Sequence, residues 1–193
     1  MKRLVMLPRI ALALMVALLA TIPSHAQGYS GKSPFEQAVQ IPLTINALKS
    51  QFNKAVRERG MKGALLIQEF PEPDALQRKA RFDQDQNVYL ETWLPSAATR
   101  DRKINRMELY TRKRGGEYWG DIALFEVALN LMKVLHPKVN PVHLVELLKA
   151  LQIDGTNFKD CTKSITRTYE GIEYRRLPGD ALRRGTLEIR KAS

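Results

Sequence analysis

The stretch from Ile122 to Leu135 is the strongest constraint in this chain. After Asp121 its only polar residues are Glu126, Asn130 and Lys133. Steps of four and three put those three on one narrow stripe of a helix. Every other position is apolar, so most of this helix has to be covered by other elements. Asp121 is expected to cap its start, and His136-Pro137 to end it. Asn140 then caps a second helix, with Pro141 where a missing N–H costs nothing. Leu144, Val145, Leu148 and Leu151 form its packing face, His143, Glu146 and Lys149 its polar stripe, and Gly155 follows. The short link predicts that the two helices are antiparallel neighbours.

What covers them is read from the flanks. Upstream, Ile45, Leu48, Phe52 and Val56 recur at helical spacing, with Gly60 just past the end. Short strands are expected over residues 64–70, 76–82, 87–94 and 104–114, the second and third as a hairpin around Asp83-Gln84-Asp85-Gln86. Val88, Leu90 and Leu94 alternate with Tyr89, Glu91 and Trp93, the period of a half-buried strand. Downstream, residues 164–169 and 172–177 flank the tight turn Glu170-Gly171. After a loop at 178–185, residues 186–191 form a last strand. The expected fold is α+β: an antiparallel sheet with one N-terminal helix and a central antiparallel helix pair packed on one face.

The first 26 residues read differently. Lys2, Arg3 and Arg9 precede an apolar run from Ile10 to Ile22 that is too short to span a bilayer. Pro23 breaks the run, and Ser24-His25-Ala26 fits a signal-peptidase site. The expected organisation is a secretory signal over 1–26 cleaved after Ala26, a flexible mature N-terminus over 27–41, and a single α+β domain over 42–193. The mature chain is then periplasmic or secreted and not an integral membrane protein. Cys161 is the only cysteine, so no internal disulfide can form. That absence suits a bacterial envelope better than a eukaryotic secretory route.

The chain carries net +11. Removing the signal leaves 28 basic and 20 acidic residues, a net +8. The excess sits in residues 97–116 and 159–193, on either side of an acidic middle. A shared basic surface would attract polyanions. In this compartment the expected partners are a lipid head group, lipopolysaccharide, an acidic polysaccharide or an envelope protein, rather than nucleic acid.

No residue pattern supports catalysis. Asp83-x-Asp85-x-Asn87 lacks the glycine and distal glutamate of a calcium loop. His136 and His143 are too few for a zinc site. Nothing around Cys161 resembles a nucleophile elbow or a low-pKa thiol site, and Glu69, Glu72 and Asp74 sit in a proline-broken loop. No enzyme, metal or cofactor is expected. The candidate ligand-binding residues are Arg112, Lys113 and Arg114 with Tyr118 and Trp119, then Arg175, Arg176, Arg183 and Arg184. Cations bind anions while aromatic rings offer stacking faces. The expected function is a small non-enzymatic module that binds an anionic envelope partner. The alternative is a protein-interaction subunit of an envelope assembly, using an apolar helix face or a strand edge.

Overall fold

The computed structural model describes residues 40–60, 65–71, 76–83, 87–95, 103–113, 117–154 and 162–192, with backbone alone at 117–120. All belong to one compact unit, Ser33–Ser193. The expected signal, Ala26, Cys161 and Gly155 lie outside the described residues. Ile41, expected within a flexible N-terminus, is fully buried and its N–H donates to Ile104 O.

The fold is α+β. Its elements run α1 (Ile45–Glu58), β1 (Ile67–Glu69), β2 (Gln77–Lys79), β3 (Arg81–Phe82), β4 (Val88–Trp93), β5 (Arg106–Arg112), α2 (Glu117–Leu135), α3 (Pro141–Ala150), β6 (Ile165–Tyr169), β7 (Ile172–Pro178) and β8 (Arg183–Lys191). Six strands form an antiparallel sheet in the order β2-β4-β5-β8-β7-β6. Both helices of the central pair are inserted between β5 and β6, and β8 returns to sit beside β5. That return brings two distant basic segments side by side.

The core lies under the helices. Leu90, Leu109, Leu187 and Arg176 stand in one transverse row on that face, and Thr92, Met107, Ile189 and Tyr174 in the next. α2 buries Leu124, Val127, Leu131 and Met132 there, each side chain contributing roughly 1.5–3 kcal/mol. Its polar stripe is used as well. Glu126 pairs with Arg59 at 2.8 Å, and Lys133 Nζ donates to the carbonyls of Pro137 and Val139.

Three local expectations need correcting. Residues 76–82 do not form one hairpin strand. β2 pairs with β4, whereas β3 leaves that ladder and pairs with β1. The diversion lets Phe82 pack on Phe52 of α1, centroids 6.2 Å apart, while Asn53 exchanges two 2.8 Å hydrogen bonds with the Ile67 backbone. α2 begins at Glu117, four residues before the expected cap, and Asp121 is buried inside it. The last strand starts at Arg183 rather than 186.

The helix ends are closed by backbone geometry. Gly60 takes φ 70° after α1 and its N–H donates to Arg57 O. At the end of α3 the left-handed residue is Gln152, at φ 57°. Gln152 N–H donates to Lys149 O and Ile153 N–H to Leu148 O, a Schellman closure with buried Ile153 as its apolar contact.

His136, expected at the end of α2, is buried there. It joins α2 to the β6–β7 hairpin. Its Nδ1 lies 2.9 Å from Glu170 Oε2 and its Nε2 2.7 Å from Tyr174 Oη. Burial raises the Tyr174 phenol far above its ordinary pKa.

Candidate functional site

The sheet face away from the helices carries the chemistry. Alternation sends Tyr89, Glu91 and Trp93 outward from β4, and Arg106, Glu108, Tyr110 and Arg112 from β5. Register then lines up Lys79, Glu91, Glu108, Glu188 and Arg175 across five strands. Three carboxylates side by side repel one another. Cations of adjacent rows compensate. Arg183 Nη1 reaches Glu108 Oε2 at 3.1 Å, and Arg106 bridges Glu108 and Glu188 at 3.3 and 3.6 Å. Lys79 Nζ lies 3.1 Å from Glu91.

Although polar in sequence, this face buries Glu91, Glu108, Tyr110 and Glu188. The long stems of arginine and lysine cover them while their charged ends stay near water. Glu91 is the most enclosed. It accepts from Tyr110 Oη and Gln77 Nε2, both at 2.7 Å. Burial and that hydrogen bond push the Tyr110 pKa up to about 12.

Four side chains form a column across β4, β5 and β8. The Arg112 guanidinium lies over the Tyr89 ring at 4.5 Å, Tyr89 stacks on Tyr110 at 5.3 Å, and Arg183 covers Tyr110 at 4.0 Å. A guanidinium held flat on a ring keeps its N–H edge free for an oxyanion. Arg183 spends that edge on Glu108. Arg112 and Lys113 are in no salt bridge with a described residue, and Lys113 is exposed. Both line a cleft of about 490 Å³ with Gln77, Lys79, Glu91, Tyr110 and Arg183. Four cations face one carboxylate in its lining.

Turn chemistry places these groups. Asn87, at φ 57°, donates from Nδ2 to Arg112 O at 3.0 Å and fixes the end of β5. The side chain that suggested a calcium loop is therefore a backbone clamp, and Asp85 lies outside the described residues. Lys113 N–H donates to Leu182 O, joining the ends of β5 and β8. In the turn before β8, a Cβ on Gly179 would lie 2.6 Å from Arg184 O, so only glycine lets the chain double back. Asp180 accepts from the N–H groups of Leu182 and Arg183 at 2.7 Å each, which holds its carboxyl below the usual value.

The expected binding set divides accordingly. Arg112, Lys113 and Arg183 come together. Arg114 lies outside the described residues, as do the side chains of Tyr118 and Trp119, whose backbone is in α2. Arg175 is on the same face two strands from β5, opposite Glu188. Arg176 is fully buried on the core face, and Arg184 is bonded to Asp121 Oδ1 at 2.6 Å. Position 176 follows Tyr174 by two, and that strand period is the signal that turns it to the core. Tyr89, Lys79 and Gln77 were missed. Alternation gives their side but not which strand pairs with which. The remaining carboxylate candidate described, Glu69, pairs with Arg81 at 2.7 Å, and His143 is exposed on α3. Among the described residues no helix is long and apolar enough to cross a membrane, and no cluster of three or more His, Cys, Asp or Glu residues could hold a metal. Compared with family models, curated proteins and solved structures, the chain matches none.

Proposed function

We propose that this protein is an exported, non-enzymatic module that holds an anionic group of a cell-envelope component in the outer-face cleft. One observation carries the reading: Arg112 and Lys113 stand at the cleft with no salt-bridge partner among the described residues, while neighbouring Arg183 is already spent on Glu108. Arg112 is preorganised by Tyr89, so little side-chain freedom is lost on binding. The ligand's negative group sits between the Arg112 edge and Lys113, with Lys79 across the cleft. Glu91 anchors the floor rather than reacting, because its oxygens are taken by Tyr110, Gln77 and Lys79.

The test titrates the purified protein with anionic vesicles, lipopolysaccharide and an acidic polysaccharide, at low and at physiological ionic strength. Binding to one class that persists at about 0.15 M salt supports the reading. Binding to every class that disappears with salt is bulk charge attraction and refutes a defined site.

A further inference from the structure

Strand β6 ends the six-stranded sheet, and its turn fixes which backbone groups face away from it. Glu170 (φ 45°) and Gly171 (φ 74°) form a two-residue turn between Tyr169 and Ile172. Both positive φ values define the mirror-type hairpin turn, which closes on a hydrogen-bonded pair. Ile165, Arg167 and Tyr169 therefore bond to β7, and the N–H and C=O groups of Thr166 and Thr168 point outward. The Arg167 guanidinium already donates to Thr166 O at 2.8 Å, as an outward carbonyl permits. Thr166, Arg167 and Thr168 are exposed, and among the described residues no strand pairs with the outer side of β6. At the opposite end of the sheet β2 has only three residues, a poorer template.

We propose that the β6 edge accepts, antiparallel, an extended segment of a partner protein with the pattern apolar–x–acidic–x–apolar. An added strand bonds to Thr166 and Thr168. Its residues opposite Ile165, Arg167 and Tyr169 then form non-hydrogen-bonded pairs, where side chains approach most closely. Ile165 and Tyr169 are half-buried against the core and present apolar flanks. Arg167 between them makes no ion pair with a described carboxylate, and an acidic residue opposite supplies one. A second copy, paired symmetrically about Arg167, would set that cation against itself. β8 and β7 separate this edge from β5, so it stands apart from the cleft.

The probe is the capped peptide Ser-Val-Thr-Glu-Thr-Val-Ser, added at millimolar concentration to isotope-labelled protein and followed by amide shifts. Shifts confined to β6 and β7 are expected. Replacing the peptide Glu by Lys weakens binding about fivefold, and N-methylating its two Thr residues abolishes it. Thr168→Pro removes an outward N–H without touching the ladder to β7 and also abolishes it. Arg167→Glu, a surface change, reverses the preference so that the Lys peptide binds better. Shifts at Arg112 and Lys113 instead, equal response to all three peptides, or no shift at all overturns the proposal. Self-association of the protein that Thr168→Pro abolishes overturns it too, by giving the edge to a second copy.

Discussion

Arg176 is the most demanding residue of the core to explain, and replacing it by Met is the sharpest stability test. The side chain is fully buried. Its Nη1 donates to Leu151 O at 3.2 Å and to Gln152 O. These carbonyls belong to the end of α3, where the helix dipole leaves partial negative charge. Met keeps most of the stem volume and removes the donors. The buried Leu151 carbonyl and the part-buried Gln152 carbonyl then lose a partner, at about 1–3 kcal/mol each with the second at the low end. Against that, the variant no longer has to desolvate a guanidinium, which returns part of the loss. The balance is a destabilisation of about 2–3 kcal/mol, or roughly 4–12 °C in Tm for a domain of this size. Urea unfolding with an unchanged slope measures it. Arg176→Lys retains the charge and should recover part of the loss. A Met variant as stable as the parent refutes the reasoning, because the two bonds would then contribute nothing net.

The remaining predictions follow from turns and titrations. Gln152→Gly removes a left-handed non-glycine residue and should stabilise by about 0.5–1 kcal/mol, whereas Gly60→Ala should destabilise by about 1 kcal/mol; paired thermal melts read both. The folded Tyr110 pKa, about 12 against an ordinary 10.0, means its stabilisation is complete below pH 10 and lost as pH rises through 12. Tyrosinate absorbance should therefore show Tyr110 ionising late, and Tyr110→Phe should flatten the alkaline loss of stability. Asp180 is the opposite case. Its depressed pKa gives stabilisation that is present above 3.8 and lost as pH falls through the lower folded value. The amides of Leu182 and Arg183 should lose exchange protection there, and in Asp180→Ala at all pH values.

The helices were the most legible part of the chain. Their spacing, caps and stops are local, so Asn140 and Gly60 act where the pattern put them. The α3 stop is the exception: Gln152 takes the left-handed position before Gly155 is reached, because the Schellman bonds to Leu148 and Lys149 and the burial of Ile153 compensate for a non-glycine residue. Strand faces were legible from alternation, but Arg176, expected among the binding residues, follows Tyr174 by two and faces inward. Pairing was not. That β3 deserts β4 for β1 depends on Phe52, thirty residues away. That β8 lands beside β5 makes the site, and it pairs Arg112 with Arg183, far apart in sequence. For the same reason Asp121 looked like a cap: its partner Arg184 is 63 residues distant. The burial of Glu91 and Glu108 was not legible, because alternation cannot show that arginine stems of neighbouring strands will cover them.

The cleft on the outer face, and not the overall charge, is proposed to hold the anion. It is tested most directly at about 0.15 M salt by comparing two variants of equal charge, Arg112→Ala/Lys113→Ala and Lys49→Ala/Arg175→Ala, against the ligand class that binds the parent most tightly. About tenfold or greater loss is expected for the first pair and near-parental affinity for the second. Equal loss in both would contradict it, since affinity would then follow net charge alone.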